Sequence, residues 1–161
     1  MENWFPSHWR YSADQAAAAG PAALLTVWRE GLDAIAIVHA HGQYLSQAFD
    51  RNLVQCPDGT IGYIDFEDDP GATLPLAECQ TRDWLSYLHS TAMLVRAASP
   101  QAAQAQWQEA LGASSDEVRQ RLALAAHRMR WLRHLPSGRR WGRDTQRVRA
   151  VARLLSRWHA G

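Results

Sequence analysis

The chain has 161 residues, 47% of them apolar, which is enough for one domain with a buried core. All 17 of its basic residues are arginine, so chemistry that requires a lysine ammonium is excluded. The formal net charge of +1 hides an acidic body and a basic end: 5 Arg stand against 13 acidic residues through residue 110, and 12 against 3 beyond it.

In chain order, residues 1–20 read as irregular, with Trp4, Phe5, Trp9 and Tyr11 around Pro6 and an Ala run that can form a short helix before Gly20. From Ala22 to about His41 the apolar residues Leu25, Trp28, Leu32, Ile35 and Ala36 recur at three- and four-residue spacing, the pattern of one helical face. Two short apolar runs, 53–56 and 60–66, then flank Pro57-Asp58-Gly59, which predicts a β-hairpin. Residues 67–71 form an acidic loop. Ala77 to Val95 reads as a helix with Trp84, Leu85, Leu88, Ala92 and Val95 on one face, and Pro100 to Leu111 as the next. Ser114-Ser115-Asp116-Glu117 offers a capping box for a third, running to about Leu135. Pro136-Ser137-Gly138 breaks it, and Asp144 opens a last helix through Val148, Val151, Leu155 and Trp158.

No apolar run approaches the ~20 residues of a membrane-spanning helix, and Met1-Glu2-Asn3-Trp4 has no signal-peptide character. Cys56 and Cys79 make neither a disulfide framework nor a C-x-x-C metal pair, so the expected compartment is the cytoplasm.

The segment 45–54, Leu45-Ser46-Gln47-Ala48-Phe49-Asp50-Arg51-Asn52-Leu53-Val54, and Ile64-Asp65-Phe66-Glu67-Asp68 after the hairpin carry a resemblance. They resemble the catalytic loop and metal-binding hairpin of the protein-kinase-like superfamily, in the style of aminoglycoside phosphotransferases and lipopolysaccharide-core kinases. There the loop reads H-G-D-x-x-x-x-N-[IL]-[LV] and the hairpin ends in I-D-F-E-D. The implied fold is mainly α with one small β-hairpin, a kinase-like C-terminal lobe lacking its N-lobe. It would form a single domain over 1–161, with motifs in 22–95 and an Arg-rich helical part in 96–161.

The resemblance implies Asn52 and Asp65 as ligands of a Mg²⁺ that holds ATP, with Glu67 and Asp68 as an outer shell. An amide oxygen and a carboxylate are the hard donors magnesium requires. It also implies Asp83, at the start of the long helix, as the residue that holds the catalytic loop from beneath. The departures are equally specific. Gln47 stands where the family has its catalytic aspartate, and a glutamine cannot accept the substrate's proton. Leu45-Ser46 replaces His-Gly, no Gly-rich loop occurs, and no lysine exists to anchor phosphates. The expectation is an impaired kinase or pseudokinase, with the N-lobe supplied by a missing segment or a partner protein if nucleotide is to bind.

Plainer readings stand beside these. Asn52 can cap a turn, Asp65 can end a strand, Asp83 can face solvent, and Glu67-Asp68-Asp69 can be a solvated loop. His39 and His41 lie two apart on a helix and cannot chelate together; a helix C-terminus favours histidine anyway. Trp28, Trp84, Trp131 and Trp158 fall on apolar helical faces, while Trp4 and Trp9 suit a partner surface. Arg130, Arg133, Arg139, Arg140 and Arg143, interleaved with tryptophan, suit an anionic lipid or lipopolysaccharide and a peripheral place at the inner membrane, or simply form a solvated face. No nucleic-acid motif accompanies them. The second class of function is thus a non-catalytic helical binding module, and an uncovered N-lobe face would favour a homodimer.

Overall fold

A computed structural model describes residues 13–56, 58–64, 69–136 and 138–156. Six α-helices and one two-stranded sheet make up these residues, so the chain is mainly α with a single small hairpin. The Ala run forms α1 (Ala13–Ala19) and the first long helix is α2 (Pro21–Ala40), entered through Gly20 with Pro21 at its first position, where the missing N–H costs nothing. Gly42, at φ 70, ends α2: Gln43 N reaches back to Val38 O (3.2 Å) and Gly42 N to His39 O (3.0 Å). This is the paired Schellman closure that a left-handed glycine permits.

Strands β1 (Leu53–Gln55) and β2 (Ile61–Tyr63) pair antiparallel, with Leu53 opposite Tyr63 and Gln55 opposite Ile61. Asp58 Oδ1 closes the turn by accepting from Thr60 N (3.0 Å) and Thr60 Oγ1 (2.7 Å), while Gly59 takes φ 85. The strands are shorter than the apolar runs suggested. Pro57 of the turn, and residues 65–68 with them Asp65, Glu67 and Asp68, lie outside the described residues, as do Trp4, Trp9 and Trp158.

The axis of the fold is α3 (Leu76–Ala98), around which α1, α2, α4 (Pro100–Gly112), α5 (Asp116–Met129) and α6 (Arg143–Leu155) pack. Its apolar stripe carries the fully buried Trp84, Tyr87, Leu88, Ala92 and Val95 against Trp28, Leu32 and Ile35 of α2. Trp28 Nε1 donates to Thr91 Oγ1 (2.9 Å), so its buried polar atom is satisfied. Gly31 admits the Tyr87 ring: a Cβ there would overlap the Tyr87 hydroxyl, which donates to Trp28 O (3.2 Å).

Three expectations are corrected. The helix expected to reach Leu135 stops at Met129 and tightens into a 3-10 segment, Arg130–His134. Trp131 therefore leaves the core and is 62% exposed; the third buried tryptophan is Trp107 of α4. The stripe explains this, because Val118, Leu122 and Met129 share one side of α5 and a residue two positions past Met129 points away from it. Finally, no capping box opens α5: the cap is Ser115, whose Oγ accepts from Val118 N (3.3 Å), so Glu117 sits one position short of the box. Ser114 Oγ instead accepts from the buried Trp84 Nε1 (3.2 Å).

Candidate functional site

Residues 43–52 connect α2 to the hairpin, and α3 holds them from below. Asp83 is wholly buried; its Oδ2 accepts from Leu45 N (2.7 Å) and contacts His39 Nε2 (3.0 Å). One turn earlier on the same face, Gln80 Nε2 donates to His39 O (3.1 Å) and Gln43 O (2.9 Å), serving the last turn of α2 and the loop together. His39 stands edge-on to Trp84, with ring centroids 5.2 Å apart. Its ordering thus comes from a carboxyl and an aromatic face, beyond the helix-end effect that the sequence suggested. His41 turns elsewhere, with Nδ1 2.8 Å from Ile37 O, so the two histidines do not converge.

Above this support the loop is tightly wound. Ser46 takes φ 64, the left-handed region that costs a side-chain-bearing residue about 1 kcal/mol or more. Gln47 N donates to Leu45 O (2.7 Å), and Gln47 O accepts from both Phe49 N (2.8 Å) and Asn52 Nδ2 (2.9 Å). Asn52 is 5% exposed, and with its amide nitrogen committed, Oδ1 is the atom left to coordinate. Ile64 N donates to Asn52 O (2.9 Å), so the return strand is fastened to Asn52 one residue before Asp65. Tyr44 donates to Asp69, which ties the loop's start to the segment after the hairpin; that bond, aided by burial, pushes the Tyr44 hydroxyl above its usual range.

Asp50, 8% exposed, has a different task. Its carboxylate accepts from Ala13 N (3.0 and 3.2 Å) and so caps α1 from 37 residues away, while Asp50 N donates to Ser90 Oγ (3.0 Å). Burial pushes its pKa up to about 6 against the opposing bond from Ala13, with Asp14 adding to the rise.

The loop thus brings Gln47 and Asn52 together over Asp83. Asn52 Oδ1 is a hard oxygen donor of the kind magnesium takes, and Asp65, its implied partner, lies outside the described residues. No group of three or more His, Cys, Asp or Glu able to hold a metal occurs among the described residues. The basic candidates form a separate surface: Arg130 and Arg133 lie exposed on the 3-10 segment, Arg140 and Arg143 are exposed near the start of α6, and the Arg139 side chain lies outside the description. Arg140 sits 5.6 Å over the ring of Trp141, itself half exposed.

Gln80, His39 and Asp50 are the loop-ordering residues that sequence reading missed. Gln80 had a signal, its three-residue spacing from Asp83 on one helix; Asp50 had none, because its partner is a distant backbone N–H. No protein-family model matches the chain, and no curated protein or solved structure does either. Among the described residues no helix is long and apolar enough to cross a membrane.

Proposed function

We propose that this chain is a kinase-like domain that keeps the metal-ligand half of a phosphotransfer site and lacks the base that would drive turnover. The bond from Asn52 Nδ2 to Gln47 O carries the reading, because it leaves Oδ1 as the coordinating atom of a loop pinned to Asp83. Asn52 and Asp65 would hold Mg²⁺, and the ion would supply charge neutralisation at the phosphates of ATP. The chain's own residues orient: Asp83 and Gln80 fix the loop, and Asn52 fixes the backbone at Gln47. Among the described residues of the loop, none is placed to move the acceptor's proton. Gln47 cannot, and Asp50 is occupied in capping α1. The nucleotide's remaining contacts would come from an N-lobe segment or partner.

A phosphate-release and acceptor-phosphorylation assay tests the impairment. Turnover at the no-protein background is expected, and robust turnover abolished by Asp65→Ala would overturn it. Gln47→Asp, which restores the carboxylate, is the variant in which any gain would appear.

The second reading, a non-catalytic module for an anionic surface such as lipid or lipopolysaccharide, is favoured by one observation. Trp131 and Trp141 are 62% and 50% exposed within an arginine-rich stretch. Its mark would be binding that survives Asp65→Ala, weakens steeply with salt and is lost on changing Arg139 and Arg140 to Ala.

A further inference from the structure

The last turns of α3 and the face of α6 opposite them enclose a groove of about 330 Å³ that belongs to neither surface described above. Its walls are Met93, Arg96 and Ala97 from α3, and Gln146, Arg149, Ala150 and Arg153 from α6, with Pro100 opening α4 at one end. Three arginines line it, and no acidic residue does. Arg96 lies 13 residues beyond Asp83 on α3, so the groove is about 20 Å along the helix from the braced loop.

Arg149 of α6 is placed unlike an ordinary surface arginine. Arg149 Nε is shut away from solvent and has no hydrogen-bond partner among the described residues. Burial pushes its guanidinium below the ordinary arginine value, and the charge of Arg153 pushes it the same way. No carboxylate pairs with Arg149 or Arg153 among the described residues, whereas Arg147, on the same helix, is paired with Asp144 (3.3 Å). A shielded, unpartnered donor beside a like charge is a cost that folding alone gives no reason to keep. An anion in the groove would neutralise the mutual repulsion of Arg149 and Arg153 and accept from those of their guanidinium N–H groups that face it. The positive end of α4, 13 residues long, adds in the same sense.

We propose that this groove is a binding site for a phosphomonoester, held by Arg149 and Arg153. A dianionic phosphate matches two uncompensated guanidiniums in charge and offers oxygens enough for two planar forks; a single carboxylate does not. The groove exceeds the volume of a phosphate group, and Met93, Ala97 and Ala150 give the remainder an apolar wall for the esterified part. The same chemistry can come from a soluble phosphorylated metabolite or from a phosphomonoester lipid headgroup.

Calorimetric titration with inorganic phosphate, against chloride at matched ionic strength, tests the site in the full chain. Wild type should bind phosphate, Arg149→Gln and Arg153→Gln should each weaken it about tenfold or more, and the double variant should abolish it. Arg29→Gln, on α2 and paired with Glu109, should leave it unchanged. Arg153 is exposed, so Arg153→Gln remains informative even if Arg149→Gln perturbs folding. Without phosphate, Arg153→Gln should melt no lower than wild type, since it removes a repulsion; a purely structural arginine would show a loss. Sedimentation with phosphatidylcholine vesicles, with and without phosphatidic acid, separates the sources. Retention only by phosphatidic acid and loss in the double variant would assign the site to a lipid headgroup. Equal phosphate heats in wild type and double variant, an equal loss in Arg29→Gln, or binding to neither probe would overturn the proposal.

Discussion

Replacing Asp83 with alanine should be among the most damaging single changes outside the apolar core. The side chain is completely buried, and its Oδ2 serves Leu45 N at 2.7 Å and His39 Nε2 at 3.0 Å. Alanine leaves both groups without a partner in a place water does not reach, at about 1–3 kcal/mol each. A loss of about 2–6 kcal/mol is a large part of the ~5–15 kcal/mol that holds such a domain together. Asp83→Asn keeps an oxygen that can accept from Leu45 N, so about half that loss is expected. Urea unfolding followed by tryptophan fluorescence is well placed to read it, because Trp84 packs on His39. With a slope of ~2 kcal/mol per molar urea, the alanine variant's midpoint should fall by on the order of 1–3 M. Amide exchange at Leu45 should accelerate by more than exchange in α6. A midpoint unchanged within ~0.3 M, or Leu45 exchange as slow as in wild type, would refute the bracing role.

The pH dependence of stability should carry the mark of Asp50. Its folded-state pKa of about 6 lies above its ordinary value of 3.8, so between these pH values the folded chain keeps a proton that the unfolded chain releases. Stability from this group therefore falls as pH rises through that window and stays low above it, by up to about 3 kcal/mol. Asp50→Asn, which can still accept from Ala13 N, should match wild type near pH 4 and exceed it at neutral pH; a difference that does not vary with pH would contradict this. Ser46→Gly should raise the thermal midpoint, corresponding to about 0.5–1 kcal/mol, since glycine occupies φ 64 without strain; a loss would show that the serine side chain contributes more than its backbone costs. Trp107→Ala should cost about 3–5 kcal/mol and Trp131→Ala less than ~0.5, and comparable unfolding midpoints for the two would refute the assignment of core and surface.

What the sequence revealed follows from the range over which each signal acts. The long helices were legible because their stripes are local: Trp28, Leu32 and Ile35 on α2, and Trp84, Leu88, Ala92 and Val95 on α3, meet as the period requires. The hairpin was legible from Pro57-Asp58-Gly59, although the strands are only three residues long. The end of α5 was misjudged because the helix was carried to the break at Pro136, whereas its buried face runs out at Met129. Trp107 was passed over although Ala103, Trp107, Ala110 and Leu111 form a complete stripe. In the site, the loop's residue types were visible, but its wiring was not. The bond from Asp50 to Ala13 and the orphaned Arg149 Nε depend on contacts between elements far apart in the chain, which no local pattern encodes.

The most direct test of the central claim is a thermal-shift titration with Mg²⁺ or Mn²⁺, with and without ATP, on wild type and Asp65→Ala. A kinase-like site that has kept its metal ligands requires a nucleotide shift that appears only with the metal and disappears in Asp65→Ala. No shift in either protein, with both folded, or a shift of equal size in both, would contradict it.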